Sequence, residues 1–460
     1  MRFNNLNDWL NWQESLNPAE IELGLERVSE VSRRAGHASS FDCPLITVAG
    51  TNGKGSVVAM LEAMAISAGL NVCSYTSPHI FRYNERIKIN SEPVTDDALC
   101  QAFEHVDQAR GEYPLTYFEF GTLAAIELFF KQRSDLIILE VGLGGRLDAV
   151  NIMDADVSIL TSIAIDHVDW LGDNRGAIGY EKAGIFRSGQ PVICGDRDAP
   201  ISVLEQAEKL HCEFMRLGEA YEADVRADGD WGLRSPFADI PSIAAPSLEG
   251  RFQYFNAAAA IVALQTLQIK GLLAADQTVE QFDQAIIAGL KEIKLPARFQ
   301  KIHTTPKVYV DVAHNLQAAQ ALVSQLASTH IDGVKTWTIL AMLSDKDIEG
   351  VVEGVSPQID RWCFAGLESI PRGLSVNDLS ARLPDILVSD NGIKETNEAN
   401  QCKMSSAKAL QADSVTAACK KVLSMVDEDD RIIIFGSFYT AAEAMQFFSD
   451  MNDIDVKSIV

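Results

Sequence analysis

The sequence predicts an α/β protein: a doubly wound, mostly parallel sheet domain built on a phosphate-type glycine loop (P-loop), then a smaller Rossmann-like α/β domain. Three observations predict it. A short β-prone run, Leu45–Ala49, leads directly into Gly50-Thr51-Asn52-Gly53-Lys54-Gly55-Ser56. Apolar runs then alternate with helical stretches, as in a sheet covered on both faces. The alternation restarts after a proline-punctuated segment, Lys291–Arg298. At 460 residues the chain exceeds the about 250–300 at which one hydrophobic core stops growing. The expected division is residues 1–293, a linker at 294–298, and 299–460.

In the first domain, Val57–Gly69 reads as a helix with a glycine stop. Asp135–Val141, Val157–Thr161 and Pro191–Cys194 read as buried strands, with a helix at Phe120–Lys131. Residues 212–247 are polar and rich in Gly, Asp and Pro, and predict hairpins or loops at the sheet edge. Alanine-rich Tyr254–Gln268 predicts a buried helix. In the second domain Lys307–Asp311, Thr336–Leu340, Arg361–Phe364 and Arg431–Phe435 predict strands, with a helix at Asn315–Ser328. Polar Ser389–Ser406 predicts a mobile surface loop.

Acidic residues outnumber basic ones 64 to 39, for a formal charge of −25. That excludes a general nucleic-acid binder, which needs a basic face, but leaves room for a local basic pocket. No apolar stretch reaches the ~20 residues of a membrane span, so no membrane partner is expected. The N-terminus lacks a signal-peptide pattern. Eight scattered cysteines without a C-x-x-C pair predict reduced thiols, a cytoplasmic location and no sulfur-bound metal. A monomer is expected.

The glycine loop carries the first chemistry. Its glycines let successive N–H groups converge on phosphate oxygens. Lys54 supplies a point charge for the terminal phosphates, and the Ser56 hydroxyl can reach Mg²⁺. The loop departs from G-x-x-x-x-G-K-[ST]: Val48 replaces the first glycine, and Gly55 separates Lys54 from Ser56. Glu140 ends an apolar strand, where a Mg²⁺ ligand belongs, and a glycine turn brings Arg146 and Asp148 after it. Asp166-His167 follows the next strand, and His167 could ligate a metal or act as a base. Lys182 alone reads as a solvated helix lysine. In the second domain, Asp311 and His314 follow a strand, Arg298 sits at the linker and Gly436-Ser437 ends the last strand.

With these residues in view, the chain resembles the bifunctional dihydrofolate synthase/folylpolyglutamate synthase family of the Mur ligase superfamily. The resemblance runs over nearly the whole length. It rests on Ile21–Arg27, Gly50–Ser56, Ser77–Arg86, Thr116–Phe120, Gly142–Asn151, Ser162–Gly172, Glu181–Ile185, Gly250–Gln253, Asp311–Asn315 and Gly436–Phe438. It implies that Thr51, Asn52, Gly53, Lys54 and Gly55 hold ATP, with Ser56 near the metal. It implies two Mg²⁺ sites, one on Ser77 and Glu140 and the second on His167, with Lys182 as a carboxylated lysine bridging toward it. Asn256, Arg298 and Asp311 would contact ATP. Glu22, Leu23, Gly24, Thr116, Tyr117, Phe118, Glu119, Leu147, Asp148 and Ala149 would shape a pteroate pocket. His314 and Ser437 would lie near the incoming L-glutamate. Lys54, Lys182, His167, Asp311 and His314 carry the implied catalysis.

Dihydropteroate, tetrahydrofolate, L-glutamate and ATP are the implied partners, joined through an acyl phosphate. Two departures stand out. Ser56 replaces the threonine common in bacterial relatives, and Leu316 follows Asn315 where proline is usual. A ligase for cell-wall precursors and a P-loop regulatory switch are the alternatives.

Overall fold

The computed structural model describes residues 1–17, 21–226, 229–273, 277–383 and 409–452. The predicted loop at Ser389–Ser406 lies outside the described residues. The chain forms two compact units, Met1–Ser247 with Phe252–Ile293, and Leu248–Arg251 with Lys294–Val460. Each is an α/β layer structure, as the alternation predicts.

The first unit is organised by an eight-stranded sheet. Its strands are β1 (Leu45–Ala49), β2 (Val72–Tyr75), β3 (Ile87–Ile89), β4 (Glu92–Pro93), β5 (Leu136–Glu140), β6 (Val157–Leu160), β7 (Pro191–Cys194) and β8 (Glu213–Arg216). They lie in the order β4-β3-β2-β5-β1-β6-β7-β8. From β2 to β8 every pairing is parallel, and only the β2–β3 and β3–β4 pairings are antiparallel. Every residue of β1, β2, β5, β6 and β7 is buried, which is why most of them read as continuous apolar runs.

The region read as edge hairpins divides in two. β8 joins the edge of the main sheet. β9 (Glu222–Val225), β10 (Trp231–Arg234) and β11 (Asp239–Ile243) form a separate antiparallel sheet, order β11-β10-β9. The second unit holds a six-stranded sheet of β12 (Gln300–Thr304), β13 (Lys307–Val310), β14 (Thr336–Leu340), β15 (Arg361–Ala365), β16 (Leu410–Ala412) and β17 (Arg431–Phe435). Their order is β12-β13-β17-β14-β15-β16, parallel apart from the β12–β13 hairpin.

Helix starts follow local chemistry. Thr116 opens the helix Tyr117–Phe130 with a capping box closed by Glu119, and Asn315 caps Leu316–Ser328 through a bond from the Ala318 N–H. The helix after the glycine loop is Lys54–Ser67, one turn longer at its start than the sequence suggests. Its cap is Gly53, in the left-handed region at φ 90°, with no side-chain oxygen for the first-turn N–H groups.

The helix Val279–Gly289 packs against Lys54–Ser67 at its last residue. A Cβ on Gly289 would stand 2.7 Å from the Ala63 carbonyl oxygen and from the Met64 Cα. Gly289→Ala is expected to destabilise the first unit by about 1–3 kcal/mol. Urea unfolding measures this, and an unchanged midpoint would mean the two helices are not in close contact there.

Candidate active site

Four neighbouring parallel strands, β2-β5-β1-β6, bring four polar strand ends to one edge of the sheet. Ser77 follows β2, Glu140 ends β5, the glycine loop follows β1, and Ser162–His167 follows β6. This is where open α/β sheets bind ligands.

The loop is laced to the segment after β6. Thr51 N–H donates to the Ser162 carbonyl at 2.6 Å, and the Thr51 hydroxyl bonds both the carbonyl and the N–H of Ala164. The Thr161 hydroxyl donates to the Asn52 carbonyl at 2.7 Å. Gly50 sits at φ 150°, and a Cβ there would lie 1.8 Å from the Thr161 hydroxyl oxygen. A Cβ on Gly53 would lie 2.9 Å from Asn256 Oδ1. Asn256 therefore reaches the loop from the helix Arg251–Ile269, and Gln253 one turn earlier donates to the Ser56 hydroxyl at 3.3 Å. Gln253 is fully buried. It lies in a matched segment but received no role from the sequence.

Two lysines converge on one carbonyl. Lys54 Nζ and Lys182 Nζ each donate to the Gly50 oxygen at 3.0 Å. Lys182 is 4% exposed, so its bland reading as a solvated helix lysine is wrong. Its helix, Arg175–Ala183, turns that face onto the glycine loop. Burial, and then the neighbouring Lys54 charge, push its pKa down to about 7, against the opposing pull of Asp166 and Asp148. Asp148 is pushed up to about 6 by burial, against backbone hydrogen bonds and the Lys54 charge. Its oxygens accept from Leu143 N–H at 2.8 Å and Val150 N–H at 3.0 Å, which shapes the Gly142–Asp148 turn.

Glu140 is buried and accepts from Ser77 N–H at 3.1 Å, so these two predicted metal ligands lie together. His167 holds a left-handed backbone at φ 52°, rare for a non-glycine residue, with its N–H on Asp166 Oδ1 at 2.8 Å. Glu140, Ser77, Asp166 and His167 offer mainly hard oxygen donors. They fit Mg²⁺ or Mn²⁺ better than a thiophilic ion.

The predicted acceptor pocket is held by an arginine that the sequence did not single out. Arg27 pairs with Glu22 at 2.5 Å and with Glu119 at 2.9 Å, tying Glu22–Gly24 to the start of the helix Tyr117–Phe130. Thr116 and Glu119 bond each other as a cap, so their polar groups shape the helix entry. The Phe118 ring lies against Gly142, where a Cβ would come within 2.6 Å of it. Leu147 is half-buried and Ala149 buried beside Asp148.

Arg86 also went unassigned, although it ends a matched segment. It is buried, donates to His79 Nδ1 at 2.8 Å, and lies over Tyr83 and Tyr117. Among the described residues no carboxylate pairs with it. Burial, then the Arg86 charge, push the His79 pKa down to about 4, which keeps that partner neutral.

In the second unit β13 and β17 are parallel neighbours, so their ends also coincide. Asp311 accepts from Phe299 N–H at 2.8 Å and Ala313 N–H at 2.7 Å. Burial raises its pKa, while Arg298, those N–H groups and His314 pull it down. Arg298, Asp311 and His314 are thus brought together. Ala297 and Phe299 on either side of Arg298 are left-handed, at φ 58° and 47°, so the chain is strained where it presents this side chain. Arg298 lies over Phe438 at 5.6 Å. Ser437, one residue earlier, caps the helix Phe438–Asn452 through Thr440.

This arrangement, two α/β units with a laced glycine loop and paired acidic and imidazole strand ends, is that of a Mur ligase. The Mur ligase middle domain model matches residues 48–264, and the Mur ligase glutamate ligase domain model matches residues 297–438. A dihydrofolate synthase/folylpolyglutamate synthase of Escherichia coli K12 is 37% identical over 96% of this chain and 95% of its own. That of Haemophilus influenzae is 36% identical over 95% and 96%. E. coli FolC in complex with DHPP and ADP superposes with a TM-score of 0.85, at 36% identity over 98% of this chain and 99% of its own. A bifunctional folylpolyglutamate synthase/dihydrofolate synthase with Mn, AMPPNP and L-glutamate bound gives 0.82, at 38% identity over 96% and 98%. The chain belongs to the dihydrofolate synthase/folylpolyglutamate synthase family of Mur ligases.

Gly50→Ala is expected to weaken ATP-analogue binding at least about tenfold, because the loop must shift off Thr161 and leave a backbone conformation that alanine disfavours. Titration calorimetry measures it. Unchanged affinity would mean that the loop's close contact is unimportant for the nucleotide.

Proposed function

We propose that the chain is an ATP-dependent ligase that adds L-glutamate to dihydropteroate and to reduced folates through an acyl phosphate. The observation that carries this reading is the convergence of Lys54 and buried Lys182 on the Gly50 carbonyl beside Asp166 and Asp148. In this reading residues 1–293 bind ATP and the pteroate, 294–298 form the linker, and 299–460 form the glutamate-ligase domain.

Asn52, Gly53, Lys54 and Gly55 hold the ATP phosphates. Thr51 acts by fixing the loop, since its own donors are used within the protein. Asn256, Arg298 and Asp311 contact the nucleotide. Ser77, Glu140, Ser56, His167 and Lys182 would hold two divalent cations, which neutralise charge on the transferring phosphoryl group. A buried amine pushed down to about 7 is substantially neutral at neutral pH, so it can attack CO₂. That reaction forms the N–C bond of a carbamate and releases one proton, turning a buried neutral amine into a metal-seeking anion.

Glu22, Leu23, Gly24, Thr116, Tyr117, Phe118, Glu119, Leu147, Asp148 and Ala149 enclose the acceptor, with Phe118 as its aromatic wall. The acceptor carboxylate attacks the γ-phosphorus, the bond to the β-phosphate oxygen breaks, and ADP leaves. The glutamate amine, positioned by His314 and Ser437, then attacks the acyl carbon, and phosphate departs. Buried Arg86 supplies a fixed positive charge beside Tyr117 for the acceptor's carboxylate. Among the described residues no helix is long and apolar enough to cross a membrane, and seven cysteines are free thiols. Free thiols support a reducing, cytoplasmic setting.

Purified protein is expected to release ADP and phosphate only with dihydropteroate or a folate together with glutamate. Turnover with a UDP-linked muramyl acceptor instead would overturn the folate reading. Lys182→Ala should abolish ligation while circular dichroism shows an intact fold; unchanged ligation would refute the carbamate role. Arg86→Gln should raise the KM for the acceptor at least about tenfold while leaving that for ATP nearly unchanged. Equal rises in both constants would show a structural role only.

A further inference from the structure

The geometry points to a zinc-type divalent metal site on the outer flank of the first unit, formed by His37, His105 and Glu127. It lies apart from the nucleotide residues and uses a different donor set. His37 follows the helix Glu26–Arg34, His105 lies within Asp96–Arg110, and Glu127 lies within Tyr117–Phe130. One ligand atom from each converges: the three lie within 4.8 Å of one another.

The distances are those of a collapsed coordination sphere. His37 Nε2 is 2.7 Å and His105 Nε2 is 3.5 Å from the same oxygen, Glu127 Oε2. Tetrahedral ligands about 2.0–2.1 Å from zinc stand about 3.3 Å apart, so both imidazole–carboxylate distances lie within about 0.6 Å of those of a zinc sphere. A buried histidine–carboxylate hydrogen bond is the plainer alternative. It accounts for His37 but not for a second imidazole: His105 Nε2 stands 3.5 Å from that oxygen as well as 3.2 Å from the Ala35 carbonyl oxygen, while Lys131 Nζ holds Oε1 at 2.5 Å. That ion pair leaves Oε2 as a single charged donor.

The surroundings also suit a metal. The side chains of His37 and Glu127 are 4% and 6% exposed, and that of His105 is 42% exposed, which gives the ion an entrance and water a fourth position. Ser32 Oγ lies 3.5 Å from His37 Nδ1, on the ring nitrogen that a metal-bound histidine turns to a supporting partner. Phe130 stacks on the His37 ring at 5.2 Å and shields that side. Two imidazoles and one carboxylate select zinc, or cobalt as its spectroscopic substitute, over Mg²⁺. A bound ion would staple two helices to the turn that follows Glu26–Arg34, and one of those helices is capped by Thr116.

The full chain, in excess Mg²⁺, should bind one more equivalent of Zn²⁺ than the His37→Asn/His105→Asn double variant, by equilibrium dialysis with elemental analysis. Glu127→Gln alone should weaken that equivalent at least about tenfold. His167→Ala should retain it, which separates this site from the nucleotide site. Zn²⁺ should raise the Tm of the unsubstituted chain but not of the double variant. Circular dichroism checks that the variants fold, and exposed His105→Asn serves alone if the double variant does not. Equal zinc stoichiometry and equal Tm shifts in the unsubstituted chain and these variants would overturn the site.

Discussion

The first unit's site turns on the Gly50 carbonyl accepting from two lysine nitrogens at once. Burial, and then the crowding of two lysines, disfavour the charged form of Lys182, whose pKa is pushed down to about 7 although Asp166 and Asp148 pull it up. In the proposed function the ATP phosphates would meet the Lys54 charge, and carbamate formation would turn Lys182 into an anion. The backbone supports this crowding. Gly50 lacks the Cβ that would strike Thr161, and the loop is bonded on its far side to Thr161–Ala164. The glycine pattern serves close packing of the loop on β6 as much as it serves a ligand.

The second unit repeats the logic with different parts. Asp311 extends β13 beside β17 and binds the N–H groups of Phe299 and Ala313, so it fixes the turn that carries Arg298. Two left-handed non-glycine residues around Arg298 are a local cost that the Asp311 contacts offset. In both units a carboxylate that accepts backbone N–H groups shapes the turn that presents an arginine: Asp148 the turn with Arg146, and Asp311 the turn with Arg298.

Much of this was legible in the sequence, and the limits have physical causes. β1, β5, β7, β14 and β17 were readable because both faces are buried and every position is apolar or nearly so. β2 escaped notice because Ser74 interrupts its run; that hydroxyl is buried and donates to Glu62 at 3.0 Å. β12 escaped because it is an edge strand with polar Gln300, Lys301 and His303. The glycine loop, Glu140 and His167 were readable because each follows a readable strand. Lys182 was not, since its burial is created by a carbonyl 132 residues earlier in the chain. Arg27 ended a matched segment but received no role for the same reason: its partner Glu119 is 92 residues away. The family resemblance supplied the lysine, and the structure supplied the arginines.

The most direct test of the account follows the acceptor's own oxygen. Dihydropteroate labelled with ¹⁸O in its carboxylate, incubated with ATP, glutamate and the purified protein, should pass one labelled oxygen per turnover into inorganic phosphate. Mass spectrometry of the phosphate reads this. Label in the phosphate establishes that the carboxylate attacked the γ-phosphorus at this site. Unlabelled phosphate accompanying amide product would contradict the acyl-phosphate mechanism.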